Sequence, residues 1–174
     1  MKSKPDKLTT NGSALEIAVV VARWNPEITD GLLRGAMQYF EEIFSSIEHI
    51  KVFKVPGAFE IPLACKTAAQ TGKFKAILGL GCVIRGDTPH FDYVCAETTR
   101  GIGSVNLQTQ VPTSFGILTV DNIDQAKARS GGKYGNKGVE AAITALKMAE
   151  LVPCLLYTSP SPRDVRSSRM PSSA

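Results

Sequence analysis

Cysteine is sparse and scattered in this chain of 174 residues: Cys65, Cys82, Cys95 and Cys154 form no C-x-x-C pair, and three of them sit among apolar neighbours. That spacing excludes a zinc ribbon or a dithiol redox motif and reads as reduced core thiols of a cytosolic protein. Histidine is scarcer still, with His49 and His90 alone, and no His/Cys/Asp cluster has metal-ligand spacing, so no metal is expected. No apolar run reaches membrane-spanning length, and MKSKPDKLTTNGS at the N-terminus holds no apolar stretch of the kind a secretory signal needs. A soluble, cytoplasmic chain with no membrane partner is expected.

The body also lacks an excess of either charge. The formal net charge of +4 comes from the ends: the arm 1–13 sets Lys2, Lys4 and Lys7 against Asp6, the segment 153–174 sets Arg163, Arg166 and Arg169 against Asp164, and residues 14–152 balance to zero. Without a basic stripe or patch, a nucleic-acid partner is set aside. The last 22 residues hold four of the ten prolines and six serines with no helical or strand period. They resemble a translated adapter or vector scar, with a disordered tail as the alternative, and carry no assigned function. What remains is one compact domain over 14–152, between a flexible arm (1–13) and that tail.

Within the domain, β-rich and helical patterns alternate. LEIAVVVA (Leu15 to Ala22), IKVFKV (Ile50 to Val55), KAILGLGCVI (Lys75 to Ile84) and SFGILTV (Ser114 to Val120) read as strands. Three are almost continuously apolar, as strands buried on both faces of a parallel sheet must be. Between them, apolar residues from Ile28 to Phe44 follow the 3.6-residue period, with Asn25 as N-cap and Pro26 at the first helical position. Further helices are expected over Glu60 to Thr71, Pro89 to Gln108, Ile123 to Ala128 and Asn136 to Val152. The order βαβαβαβαα implies right-handed crossovers and a three-layer α/β/α sandwich on a four-stranded parallel sheet.

Ligands of such open sheets bind beyond the carboxyl ends of the strands. Arg23, Trp24 and Asn25 follow the first strand, Pro56 to Glu60 the second, Arg85 to His90 the third, and Asp121 and Asn122 the fourth. In VIRGDTPHFDY, Thr88 can cap a helix with Pro89 at its first position, leaving the amides of Gly86 to Thr88 to face an anion. His90 then falls in the first helical turn, where the helix dipole favours the neutral, proton-accepting imidazole. A base beside a phosphate suggests a reacting site, although such junctions are common and a histidine near a helix start is usually a plain surface residue. Trp24 is as consistent with packing over the sheet edge as with stacking on a planar ligand. Glu60 would stabilise its helix whatever else it does. SGGKYGNKG reads as a turn that sets Arg129 and Lys137 beside a second helix start, where two cations could hold a phosphate.

Together, ARWN, VPGAFEIP, LGCVIRGDTPHFDYV, SFGILTVDN and GGKYGNKGVEAA resemble, in order and spacing, the lumazine synthase family of riboflavin biosynthesis, from about Leu15 to Val152. The resemblance implies a flavodoxin-like topology and a cofactor-free condensation of 5-amino-6-(D-ribitylamino)uracil with 3,4-dihydroxy-2-butanone 4-phosphate. By the same resemblance, Trp24 stacks on the pyrimidine and Asn25 shares its pocket. Ala58, Phe59 and Glu60 meet the ribityl chain and ring, while Cys82, Val83 and Ile84 line the pyrimidine pocket. Asp87 and Thr88 cradle the phosphate, Arg129 pairs with it, Lys137 joins the substrate contacts, and His90 transfers protons. Phe115 is implied to enter from a neighbouring subunit, in a homopentamer that can build a 60-subunit shell and associate with riboflavin synthase. Tyr134 stands where many members have His or Ala, and the last helix is expected to stop at Val152. The readings kept beside this one are a flavin-mononucleotide electron carrier and a non-catalytic flavin-binding or shell-forming relative. The former would show a Ser/Thr-rich phosphate loop after the first strand, which ARWNPEI lacks.

Overall fold

The two most continuously apolar segments lie at the centre of the sheet, where both faces are covered. In the computed structural model, which describes residues 15–157, β1 (Ile17–Ala22) is buried along its whole length and β3 (Ala76–Ile84) along all but its last two residues. β2 (Ile50–Val55) and β4 (Thr113–Val120) flank them, giving the order β2-β1-β3-β4 with every pairing parallel. Ile17 stands in register with Ile50 on one side and Ala76 on the other. Its place at an edge leaves β2 mostly exposed, which is why IKVFKV tolerates two lysines.

Side-chain alternation along β1 divides the interior into two cores. Ile17, Val19 and Val21 pack with Phe40 of α1 (Pro26–Ile43) and Leu146 of α5 (Lys137–Leu156). Ala18 and Val20 pack with Ile61 of α2 (Ile61–Gln70) and Ile102 of α3 (His90–Thr109). The short α4 (Ile123–Lys127) lies against β4. This is the three-layer α/β/α sandwich the sequence implies. Among the described residues, no helix is long and apolar enough to cross a membrane.

Two segments differ from expectation. The glycine-rich stretch read as a turn forms a short antiparallel hairpin, β5 (Ser130–Gly132) with β6 (Gly135–Asn136). Asn136 explains it. Its Nδ2 donates to the Gly31 carbonyl of α1 at 2.9 Å, and its Oδ1 accepts from the Gly138 amide at 2.8 Å, so one side chain docks the hairpin and caps α5. Gly35 admits this approach, since a Cβ there would collide with the Asn136 amide. The second difference is α5, which continues past Val152 through Pro153 to Leu156. Proline lacks the donor but its φ suits a helix, and the Tyr157 amide closes the last turn on the Pro153 carbonyl at 2.9 Å. The arm 1–13 and the tail from 158 onward lie outside the described residues.

Candidate active site

The chain leaves β1 for β2 on one side and returns to β3 on the other, so a crevice opens at the carboxyl ends of β1 and β3. A cavity of about 440 Å³ lies there. Trp24 and Asn25 line it from the end of β1, Ala58, Phe59 and Glu60 from the segment after β2, Cys82, Val83 and Ile84 from β3, and His90 from the start of α3. The sequence had pointed to all nine.

Asn25 reaches this position by a route the sequence did not suggest. It adopts the left-handed conformation (φ 56°, ψ 56°) and its side chain does not cap α1. Its Nδ2 donates instead to the Cys82 carbonyl at 3.0 Å, tying the end of β1 to the end of β3 beside the cavity. Asparagine is among the few residues that tolerate this backbone region. The preceding amides are already used: Arg23 donates to Val55 O at 2.8 Å and Trp24 to Pro56 O at 3.1 Å.

The indole of Trp24 is 65% exposed, so it is not a packing residue of the sheet edge. It packs against Gly57, where an added Cβ would sit 2.5 and 2.6 Å from two ring carbons. Glu60 accepts from the Gly57 amide at 2.9 Å through Oε2, within a single 3-10 turn (Ala58–Glu60) that precedes α2. Backbone and aromatic ring are thereby fixed around one glycine. Burial, with a smaller contribution from Cys95, pushes the Cys82 thiol up to about 11, so it meets a ligand as a neutral thiol and not as a nucleophilic thiolate.

Between β3 and α3 the exposed residues Gly86, Asp87 and Thr88 donate no backbone hydrogen bond to any described residue. Thr88 does not cap the helix as expected. Pro89 already has helical dihedrals (φ −63°, ψ −5°), its carbonyl accepts from Asp92 N–H at 3.0 Å, and no side chain caps α3. The open amides survive that correction and are separated only by Pro89 from His90, the first residue of the helix. Asp121 and Asn122, also at a strand end, serve structure: Asn122 Oδ1 caps α4 by accepting from Gln125 N–H at 2.9 Å, and Asp121 pairs with Arg85.

Phe115, Arg129 and Lys137 do not join this group. They line a second cavity of about 510 Å³ along β4, with Gln125, Glu140 and Thr144, and no residue lines both cavities. Arg129 donates to the Gln125 carbonyl at 2.9 Å and its guanidinium lies 5.0 Å from the centre of the Tyr134 ring. Lys137 pairs with Glu140 at 2.7 Å. Phe115 is 42% exposed on the edge strand. A phosphate seated on the amides after β3 is therefore outside the cavity that holds these cations of the same chain.

Three residues lining the first cavity escaped sequence reasoning: Tyr93, Val94 and Glu97. They stand three, four and seven positions after His90, on the same helix face, and the helical period would have found them. Among the described residues, no group of three or more His, Cys, Asp or Glu is placed to hold a metal ion.

A parallel sheet with order β2-β1-β3-β4, with an exposed aromatic wall and a histidine lining the crevice at its switch point, defines a flavodoxin-like α/β protein. Comparison with known proteins narrows the class. The family model described as 6,7-dimethyl-8-ribityllumazine synthase matches residues 14–153, and the chain belongs to that family. It is similar to the 6,7-dimethyl-8-ribityllumazine synthase of Desulfovibrio desulfuricans, 50% identical over 137 residues that cover 79% of this chain and 88% of the relative. It is 49% identical over 138 residues to the protein of that name from Parabacteroides distasonis, covering 79% of this chain and 86% of the relative.

Proposed function

We propose that this chain is a transferase of riboflavin biosynthesis that condenses 5-amino-6-(D-ribitylamino)uracil with 3,4-dihydroxy-2-butanone 4-phosphate to 6,7-dimethyl-8-ribityllumazine. The contrast between two sets of backbone amides carries the site assignment. After β1, where a flavin-mononucleotide carrier would hold its phosphate, the amides of Arg23 and Trp24 are spent on β2 and the residue after it. After β3, those of Gly86, Asp87 and Thr88 are free of described partners and stand beside His90. That contrast supports a phosphate at the β3–α3 loop and leaves the electron-carrier reading without an anchor.

In this reading the pyrimidine stacks on Trp24, with Asn25, Cys82, Val83 and Ile84 around it, and the ribityl chain runs along Ala58, Phe59 and Glu60. The 5-amino nitrogen attacks the butanone carbonyl and water leaves, giving an imine. Removal of the proton from C3 releases phosphate from C4, and the enol left behind becomes a carbonyl at C3. The ribitylamino nitrogen closes on that carbon and a second water leaves. His90 takes and returns the protons, a role typically worth about 10²- to 10⁴-fold. Holding both substrates together supplies much of the remaining acceleration.

The assembly belongs to the same reading. Only Thr98, Ile102 and Val105 are buried among the 20 residues of α3, and Leu107 is 86% exposed. A helix so uncovered calls for a neighbour. If the Phe115, Arg129 and Lys137 cavity of one subunit completes the Trp24–His90 cavity of the next, each site is whole only in a head-to-tail ring. The family resemblance supports a pentamer as that ring, and the short uninserted loop before α5 supports the 60-subunit shell. A cytoplasmic location and association with riboflavin synthase complete the proposal. Steady-state formation of the lumazine from the two substrates, with no cofactor added, tests it. Folded oligomer without turnover would refute it, as would a functional monomer in light scattering.

A further inference from the structure

Arg85 is the cation nearest in sequence to the open amides of Gly86 to Thr88, which makes it the obvious candidate for an anion ligand. Its surroundings argue otherwise. Nε donates to Asp121 Oδ1 at 3.1 Å, Nη2 pairs with Asp92 Oδ1 at 3.2 Å, and the guanidinium lies 4.1 Å from the centre of the Phe91 ring. Its own amide donates to Val120 O at 2.9 Å, and the Asp121 amide is held by Gln125 Oε1 at 3.0 Å. With both arms held by carboxylates and one face against the Phe91 ring, the guanidinium is already engaged and is not a free ligand for an anion.

Resting on the functional reading above, we infer that Arg85 is a positioning residue: one planar fork joins the end of β4 to the first turn of α3 and so fixes the loop that carries the Gly86–Thr88 amides and His90. Arg85 begins that loop and Asp92 and Phe91 follow its end, so the clamp closes the segment across its own termini. Half-exposed ion pairs of this kind contribute little to global stability. Their effect is on geometry, and a lysine, which offers a point charge without a fork or a stacking plane, cannot reproduce both arms.

The test uses the assembled full chain with Arg85→Ala, Arg85→Lys, Asp92→Asn, Asp121→Asn and the Arg85→Ala/Asp92→Asn double variant. Four quantities are read: KM for the phosphate substrate, kcat, uracil affinity from the single tryptophan's fluorescence, and amide exchange at Arg85 and Asp92 without substrate. Loosening the loop should raise KM for the phosphate substrate in Arg85→Ala by about 10-fold and lower kcat, with uracil affinity unchanged. Arg85→Lys should recover part of this. Each Asp→Asn change should move KM in the same direction, and the double variant should add little to Arg85→Ala because both changes break one bridge. The two amides should exchange several-fold faster in all of them. A lower KM in Asp92→Asn or Asp121→Asn would mean that freeing the guanidinium creates a better anion ligand, and would overturn the inference, as would unchanged exchange. Exchange needs no turnover: an inactive wild type would defeat the functional reading while the amides still decide on the clamp.

Discussion

Gly57→Ala isolates the contribution of the Trp24 wall. The backbone of Gly57 is extended (φ −138°, ψ −174°), a conformation alanine adopts freely, so the only new feature is a methyl group. That methyl would lie 2.5 and 2.6 Å from two indole carbons and 3.1 Å from Glu60 Oε2. Carbon atoms rest about 3.5–4.0 Å apart, so the ring must shift by roughly an ångström or leave its rotamer. Because the indole is largely exposed it can do so without opening the core, and the melting temperature should hardly move. An aromatic stacking contact is worth about 0.5–1.5 kcal/mol, so affinity for the uracil substrate should fall about 2- to 12-fold. Trp24 is the only tryptophan, so its fluorescence reports both the displaced ring in the free protein and the weakened titration. Trp24→Phe should keep most of the affinity. Unchanged emission and unchanged affinity in Gly57→Ala would refute the idea that this glycine seats the indole for stacking.

Other outcomes follow from the same geometry. His90→Ala should lower kcat by roughly 10-fold or more while the uracil still quenches Trp24, as expected when a proton-transfer group is lost from the transition state. Asn25→Ala places alanine in the left-handed region and orphans the Cys82 carbonyl; urea denaturation should show a loss of about 2 kcal/mol or more, and Asn25→Gly a smaller one. Burial pushes the Cys65 thiol up from 9.0 to about 12. The unfolded thiol therefore ionises first: stability is full below pH 9 and falls as pH rises toward 12, by at most about 1.4 kcal/mol per pH unit. Cys65→Ala should flatten that alkaline slope.

Much of the sheet was legible because burial on both faces leaves an unbroken apolar run, as in IAVVVA and AILGLGCVI. The place of the cavity at the β1/β3 switch point was legible too, since the residues that line it cluster at and just after strand ends. What escaped was set by contacts distant in sequence. Nothing local says that Asn25 will bond to Cys82, 57 positions away, or that Asn136 will fold a glycine run into a hairpin by reaching Gly31, 105 positions away. Pro153 was read as a stop, yet the helix absorbs it near its end. That Arg129 and Lys137 line a cavity apart from Trp24 and His90 was equally hidden, because order along a chain does not say which cavity a loop will line; Phe115 alone was expected apart, on the family resemblance. Tyr93, Val94 and Glu97 were a different case, present in the periodicity and missed.

A ring of mixed subunits decides most directly whether the site is shared. His90→Ala spoils the cavity at the β1/β3 switch point and Arg129→Ala spoils the one along β4, so the two chains carry complementary defects. Dissociated, combined in equal amounts, reassembled and assayed at low phosphate-substrate concentration, they place an intact half beside an intact half at about one interface in four of a randomly filled ring. Recovery of about 25% of wild-type activity is the expected result. Activity no higher than the average of the two parents, in rings shown to be mixed, would mean that each chain holds a complete site, and would contradict the shared one.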